Sequence, residues 1–201
     1  MSSCQARVAL ATIMLLAISG CTPHVPSSKE HSEQPSPASL RSELRCEDAW
    51  EGNPTSAPDA PTAEGVSSLA WQGSPPNYSW PIKNETNGQA YKALDGSTRG
   101  AWKAPITVDA GLGKRVVSVI SPADAEIVVA AATEWESNQA LREGRIRLPS
   151  SYTINACESR LTQFPGMILV GGPSCVVIKV TNQATGKSST VSVPMYGANC
   201  T

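Results

Sequence analysis

Seven short segments rich in valine, isoleucine and threonine constrain the fold of this chain more than any other feature of its sequence. Most of them are separated by glycine, proline, asparagine or aspartate, which favour turns. In CVVIKVT, Val176, Ile178 and Val180 alternate with Val177 and Lys179, so one side is apolar and the other mixed, as a half-buried strand requires. The segments cover residues 105–110, 115–121, 125–132, 151–157, 167–171, 175–181 and 189–194.

Regularly spaced short strands with turn residues between them are typical of an all-β sandwich. We therefore predict an immunoglobulin-like antiparallel β-sandwich over residues 66–201. The segment 125–132 has a helical alternative, because Ser121 and Pro122 resemble a helix N-cap and a first helical residue. We favour a strand there because the run from Ile127 to Val129 is β-branched. A short helical turn is expected around residues 137–142.

The segment before this domain, residues 21–65, differs sharply in composition. Proline, serine, alanine and acidic residues dominate it, and large aliphatic residues are nearly absent. Such a segment buries too little apolar surface to offset the entropy of ordering it. We therefore predict a disordered tether in front of the sandwich, within which residues 40–50 dock on the domain through Cys46.

The N-terminus has the charge order of an export signal. Arg7 precedes an apolar run from Val8 to Ile18, which is shorter than the roughly 20 residues of a membrane-spanning helix. The run ends in Ile18-Ser19-Gly20-Cys21, which looks like a bacterial lipobox. That resemblance implies cleavage after residue 20 and lipidation of Cys21, with palmitate or similar chains. The expected location is the extracytoplasmic face of the cell membrane, where the protein is held by its lipid anchor.

The six cysteines divide by position. Cys4 is removed with the predicted signal peptide at residues 1–20, and Cys21 takes the lipid. Four cysteines remain, an even number, and after export they would lie in an oxidising compartment. This predicts two disulfides, although sequence alone allows three pairings of four cysteines. We favour one pairing because the first cysteine of a predicted hairpin and the cysteine after its second strand lie at the same end of the sheet. The predicted bridges are Cys175–Cys200 and Cys46–Cys157.

Several chemistries are disfavoured. The net charge is −1 with no basic stripe, so nucleic acid is not an expected partner. Both histidines, His24 and His31, lie in the tether, which excludes a Ser-His-Asp triad within the domain. Gly186-Lys187 resembles a phosphate-binding loop, but Thr181 occupies the position of its first glycine. We predict no metal, no cofactor and no catalytic residues.

Tryptophan is the notable aromatic residue, with five copies against one phenylalanine. Trp71, Tyr78 and Trp80 lie in the irregular stretch WQGSPPNYSWP and are the candidates for an exposed face on which sugar rings could stack. The alternative is that they fill the core, as sandwich tryptophans commonly do. Seven acidic residues are candidates for carboxylate catalysis, and no pair among them stands out. They are Asp95, Asp109, Asp124, Glu126, Glu134, Glu136 and Glu158.

The C-terminal third also resembles a known group of proteins. It contains an Ala156-Cys157 strand end, a Phe164-Pro165-Gly166 turn, the stretch Pro173 to Val176 and a closing Cys200, with Trp102 to Pro105 upstream. These features are similar to those of uncharacterised exported proteins and lipoproteins of actinobacteria. The resemblance implies a small β-rich domain with structural cysteines on the cell envelope, and it brings no catalytic residues.

The expected function is therefore a structural or binding role in the bacterial cell envelope. One alternative is a module that binds carbohydrate or cell-wall polymer through the region from Trp71 to Trp80. A weaker alternative is an envelope hydrolase that uses carboxylates. The expected partners are the membrane, through Cys21, and a cell-wall polymer or an envelope protein.

Overall fold

The computed structural model describes residues 37–51, 59–75, 78, 80–82, 90–137 and 139–201. The predicted signal peptide, the lipidation site Cys21 and the two histidines lie outside the described residues. Within them the chain forms thirteen strands and two short helices. The strands are β1 (Glu43–Leu44), β2 (Thr62–Ala63), β3 (Val66–Ser68), β4 (Ala90–Lys92), β5 (Thr98–Lys103), β6 (Ile106–Val108), β7 (Lys114–Ser121), β8 (Glu126–Val129), β9 (Ser151–Asn155), β10 (Thr162–Phe164), β11 (Gly166–Val170), β12 (Ser174–Asn182) and β13 (Ser188–Met195). The helices are α1 (Ala132–Ser137) and α2 (Gln139–Arg142).

These strands form sheets packed as in a sandwich, which confirms the all-β prediction. A five-stranded sheet has the order β1-β9-β7-β12-β13, and two four-stranded sheets have the orders β10-β6-β3-β2 and β4-β5-β11-β8. Neighbouring strands are antiparallel except for β1, which runs parallel to β9.

The two four-stranded sheets are connected by chain segments that pass directly from one to the other. β5 leads into β6 across Ala104 and Pro105, and β10 leads into β11 across Pro165. Proline has no N–H to donate to a strand partner, so ladders are interrupted where it occurs. The Ala104 N–H donates to Gly166 at 3.1 Å, and the Ala130 N–H donates to the Pro165 carbonyl at 3.1 Å. The prolines therefore mark the bend between the sheets.

The alternation predicted for β12 is present. Val176, Ile178 and Val180 are fully buried, whereas Val177 and Lys179 are half-buried. The strand pairs with β13 over its length, and the hairpin turn is closed by hydrogen bonds between Asn182 and the two residues Gly186 and Lys187. Gly186 has a φ of 70°, which glycine adopts without a steric penalty. Gly186-Lys187 is thus the corner of a hairpin.

Both predicted disulfides are confirmed. Cys175, in β12, pairs with Cys200, which follows β13, with their Cα atoms 5.4 Å apart. Cys46 pairs with Cys157 at a Cα separation of 4.8 Å. The first bridge closes the open end of the hairpin. The second joins two segments separated by 111 residues.

The folded unit includes residues that precede the predicted domain start at Val66, among them residues 40–50, which were predicted to dock on the domain through Cys46. Leu40 and Leu44 are buried, β1 adds to the edge of the five-stranded sheet beside β9, and β2 pairs with β3. The few apolar residues of this polar segment are the ones that pack. The entropy of ordering this segment is therefore offset by the predicted Cys46–Cys157 disulfide and by the pairing of β1 with β9 and of β2 with β3, which was not predicted.

The segment 125–132 is a strand at its start and the beginning of a helix at its end. β8 covers Glu126–Val129, as predicted, and α1 begins at Ala132. α2 at Gln139–Arg142 confirms the expected helical turn, whereas α1 was not predicted. None of the helices in the described residues has the length and apolar character needed to cross a membrane.

A buried arginine fixes the loop before β7. Arg115 is 4% exposed, and its guanidinium donates to the carbonyls of Glu64 at 2.8 Å, Lys114 at 3.2 Å and Leu112. A buried charge requires such hydrogen bonds to offset its lost hydration. The residue therefore ties the β2–β3 turn to the β6–β7 loop.

Candidate functional site

The three aromatic residues predicted to form an exposed binding face lie in two different environments. Trp71 is 1% exposed, so the prediction that it presents a ring face to solvent is wrong. It lies in a 3-10 turn, Leu69–Gln72, which Ser68 caps by accepting a hydrogen bond from the Ala70 N–H at 3.1 Å. That turn packs against the end of β13, which directs the indole into the core.

Tyr78 and Trp80 belong instead to an aromatic cluster that also contains the half-buried Trp102 and the buried Tyr196. The Tyr78 ring meets the Trp102 ring edge-on at 5.4 Å, and the Trp80 ring meets the Tyr196 ring edge-on at 5.5 Å. Edge-to-face pairs of this kind stabilise packing. Gly100 makes room for the cluster, since a β-carbon there would overlap the Tyr196 ring. The rings therefore pack largely on one another.

A different concave surface, which we call the Tyr91 groove, combines apolar walls with polar groups. Its first part is a pocket of about 220 Å³ that includes Tyr91, Leu94, Arg99 and Glu126 on the sheet side. The segment 146–148 forms the facing wall. The second part, of about 280 Å³, shares Glu126 and Leu148 with the first and continues to Val119, Ala123, Ala125, Ile127, Pro149 and Ser150.

Strand register explains why the polar groups of the groove lie together. Tyr91 of β4 is paired with Arg99 of β5, and directly opposed residues point to the same face of a sheet. Glu126 of β8 is paired with Leu169, which is paired with Ala101, two residues from Arg99 and on the same face. The floor of the groove is therefore assembled across strands that are far apart in sequence.

The facing wall depends on one glycine and one backbone bridge. Gly144 has a φ of 70°, and a β-carbon there would overlap the Lys92 carbonyl oxygen. Ser39 bridges to Arg147, whose N–H donates to Ala38 at 2.8 Å and whose carbonyl accepts from the Leu40 N–H at 3.0 Å. The N-terminal segment thus holds the wall from outside.

Charge in the groove is balanced. The Arg99 guanidinium lies 3.1 Å from Glu126 Oε2 and also donates to the Asp124 carbonyl. Asp95 at the rim accepts hydrogen bonds from the Ser97 hydroxyl at 2.6 Å and the Ser97 N–H at 2.9 Å, which lower the pKa of its carboxyl. Arg147 adds a positive charge to the opposite wall. The groove therefore offers paired charges of both signs.

Among the residues that line the Tyr91 groove, Tyr91 itself has a buried polar group that is not hydrogen-bonded. It is 5% exposed, and its hydroxyl has no hydrogen-bond partner among the described residues. The pKa of Tyr91 is raised to about 12, mainly by burial and in part by the Glu126 charge, while the Arg99 charge acts in the opposite direction. The hydroxyl therefore stays neutral at physiological pH and lies within electrostatic reach of both charged groups of the floor. Most buried polar groups have a partner, so this one requires a reason.

A second concave region carries four acidic residues among the eight that line it. It has a volume of about 420 Å³ and contains Trp50. Arg41 bridges Asp48 and Glu134 at 3.0 and 2.8 Å beside it, and the hydrogen bond to Glu134 raises the pKa of Arg41. The acidic residues of its lining are Glu47, Asp48, Glu51 and Glu136. Among the residues that the structure describes, no three cysteine, histidine or acidic side chains meet in a metal-binding group.

Sequence reasoning had named Glu126 among the acidic residues but had missed Tyr91 and Arg99. The strands that carry them contain lysine, threonine and glycine and lack a clear apolar alternation. Only the pairing of β4, β5, β11 and β8 brings these residues together. Comparison of the chain with protein-family models, curated proteins and solved structures finds no match.

Proposed function

We propose that the protein is a bacterial cell-envelope lipoprotein, held by lipid at Cys21 on the extracytoplasmic face of the cell membrane, whose β-domain binds a ligand. The observation that carries the proposal is the sequence Ile18-Ser19-Gly20-Cys21 at the end of the apolar run from Val8. Lipidation of the thiol and of the new amino group supplies more than one acyl chain, and stable anchoring requires at least two hydrophobic signals.

The disulfides support the proposed compartment. Cys46–Cys157 and Cys175–Cys200 involve all four cysteines of the chain that follow Cys21. Disulfides persist in oxidising compartments and are rare in the cytosol. Export is the step that would carry the chain into such a compartment.

A binding role fits the Tyr91 groove better than hydrolysis does. A carboxylic acid that donates a proton during hydrolysis needs a raised pKa, which burial or a like charge provides. The pKa of the Asp95 carboxyl is instead lowered, because Ser97 donates hydrogen bonds to its charged form. The Glu126 carboxylate lies 3.1 Å from the Arg99 guanidinium in an ion pair and, among the described residues, has no second carboxyl group of the groove as its partner. The groove is thus suited to holding polar groups, and a cell-wall polymer or an envelope protein is the proposed partner.

The anchoring is tested by growing bacteria that express the full chain with an alkyne-bearing palmitate. We expect the label on the wild-type protein in the membrane fraction and no label on the Cys21→Ala variant. Cys4→Ala is the matched control, because Cys4 lies within the signal and the variant should label as the wild type does. Cleavage of the domain by protease added to intact spheroplasts should show that it faces outward. Equal labelling of wild type and Cys21→Ala would contradict the proposal.

A further inference from the structure

We infer that the open side of β13, which we call the β13 edge, is a surface at which two copies of the chain pair their β13 strands antiparallel. β13 ends the five-stranded sheet, so only one of its sides pairs with another strand, β12. Among the strands that end a sheet in the described part of the chain, β13 has eight residues and each of the others has two to four. Long open edges are templates for pairing with a further strand.

The pairing with β12 determines which backbone groups of β13 point into the open edge. The Asn182 N–H donates to the Lys187 carbonyl at 2.8 Å, so the backbone groups of residue 187 face β12, as do those of every second residue after it. The N–H and C=O groups of Ser188, Thr190 and Ser192 therefore point away from β12. They make no backbone hydrogen bond with any of the described residues.

The open part of the edge is bounded at both ends. At one end Pro194 has no N–H to donate, and its carbonyl accepts from the Ser74 N–H at 3.1 Å. At the other end the chain leaves the strand at the hairpin turn, where Gly186 has a φ of 70°. A strand that pairs with this edge therefore meets the outward groups of residues 188, 190 and 192 and no others.

A second copy related by a twofold axis at Thr190 fits this open part of the edge. Thr190 then lies opposite Thr190 of the second copy, and Ser188 lies opposite Ser192. Opposed antiparallel residues whose backbone groups face each other exchange two hydrogen bonds, so every open group gains a partner. A shift of the axis in one direction would set Ser188 against the already capped Pro194, and a shift in the other would set Ser192 against the turn at Gly186. The axis at Thr190 is therefore the register that satisfies the whole edge.

The side chains along the edge favour a second copy over a foreign peptide. A domain that binds a foreign peptide by strand addition selects it through pockets for alternate side chains of the peptide. Ser188, Thr190 and Ser192 are exposed and small, so their side chains form no wall of such a pocket. Pairing with a second copy sets serine and threonine side chains opposite one another, and such cross-strand pairs stabilise a sheet.

The charges near the edge also permit self-pairing. β13 has no charged residue, whereas many natural edge strands carry lysine, which repels a second copy. Lys179 of β12 is paired with Thr190, so in the dimer the two Lys179 positions would be three strand spacings apart, about 14 Å. The two Lys187 positions would be about 20 Å apart, because six residues of strand separate them. Both distances exceed the screening length of about 8 Å at physiological ionic strength.

The test introduces single cysteines into the full chain, purified in detergent, and oxidises them with copper phenanthroline for a fixed time. Thr190→Cys should give a disulfide-linked dimer, because opposed residues that exchange hydrogen bonds have Cα atoms about 5.5 Å apart, which a disulfide spans. Ser188→Cys alone should give about tenfold less, since its two copies would be about 14 Å apart. A mixture of Ser188→Cys chains with Ser192→Cys chains should cross-link again. The unsubstituted chain gives the background, and peptide mapping locates each bridge.

A further pair of variants tests the backbone hydrogen bonds. Thr190→Pro, added to both chains of the mixture, removes the N–H that would donate across the twofold axis and should lower the cross-linked fraction about tenfold. That N–H does not donate to β12, so the fold should persist, and urea unfolding checks that it does. Thr190→Val is the matched control, because it keeps the N–H and the β-branched shape and should cross-link as the mixture without it does.

Absence of a dimer bridged at residue 190, or equal amounts of dimer from Thr190→Cys and from Ser188→Cys alone, would overturn the inference. Either result decides against it even where the proline variant fails to fold, because the cysteine variants keep every backbone N–H. The inference does not depend on the lipid anchor. Adding Cys21→Ala to the Thr190→Cys chain should leave the cross-linked fraction unchanged, and a loss of dimer in that chain would contradict pairing through β13 alone.

Discussion

The disulfide between Cys46 and Cys157 should contribute more to stability than the one between Cys175 and Cys200, although it joins a segment that looks unstructured in composition. The perturbation is the double substitution Cys46→Ala/Cys157→Ala, compared with Cys175→Ala/Cys200→Ala. Alanine is chosen because Cys157 is 3% exposed, and a serine there would bury a hydroxyl. Each double variant removes one bridge and leaves no free thiol behind.

The magnitude follows from the loop that each bridge closes in the unfolded chain. The separations are 111 residues for Cys46–Cys157 and 25 residues for Cys175–Cys200. Loop-closure entropy gives about 4.8 kcal/mol for the longer loop and about 3.5 kcal/mol for the shorter. The difference, about 1.3 kcal/mol, depends only on the ratio of the two lengths.

The assay is urea unfolding of the three proteins, followed by tryptophan fluorescence. We expect both variants to unfold at lower urea than the wild type and the Cys46→Ala/Cys157→Ala variant to have the lowest free energy of unfolding. Hydrogen exchange gives a local readout, because β1 pairs with β9 next to this bridge. Its amides should lose protection more than those of the β12–β13 hairpin. Equal free energies for the two variants, or a lower one for Cys175→Ala/Cys200→Ala, would refute the reasoning.

Two further predictions concern the wall of the groove and the buried tyrosines. Gly144→Ala should destabilise the fold by more than Gly186→Ala in urea unfolding. Both glycines have a φ of 70°, a conformation that costs alanine about 1–2 kcal/mol. Only at residue 144 would the added β-carbon also overlap backbone, at Lys92. Equal losses of unfolding free energy in the two variants would contradict this. Burial raises the pKa of Tyr91 and of Tyr196 to about 12 from the ordinary value of 10, so the folded state favours their neutral forms. The part of the unfolding free energy that depends on these neutral hydroxyls should therefore be fully present below pH 10 and be lost as the pH rises from 10 to 12. Tyrosinate absorbance measured with the unfolding free energy checks this, and a pH-independent stability across that window would contradict it.

The strands with a clear apolar alternation could be predicted from the sequence, because that pattern is local. β7, β9, β12 and β13 lie close to their expected bounds, and the hairpin register also led to the correct pairing of Cys175 with Cys200. β4 and β5 were missed. Thr98–Lys103 carries a glycine and two cations, so its burial depends on neighbouring strands rather than on its own composition.

The errors have a common physical cause, which is contact between distant parts of the chain. The segment around Leu44 was predicted to dock through Cys46, but its pairing with β9 as a strand was not predicted. Trp71 lies in a stretch rich in glycine and proline, yet the turn that holds it packs on β13. The Tyr91 groove likewise joins β4, β5 and β8 with the segment before β9. Neither spacing nor composition encodes these contacts.

Mass spectrometry of the N-terminal peptide of the mature protein, isolated from the membrane fraction, tests the proposed lipid anchor. We expect this peptide to begin at Cys21 and to carry the added mass of a diacylglyceryl group on the thiol. An additional acyl group on the amino nitrogen is also expected. A mature chain that begins at another residue, or one that begins at an unmodified Cys21, would contradict the proposed lipid anchor.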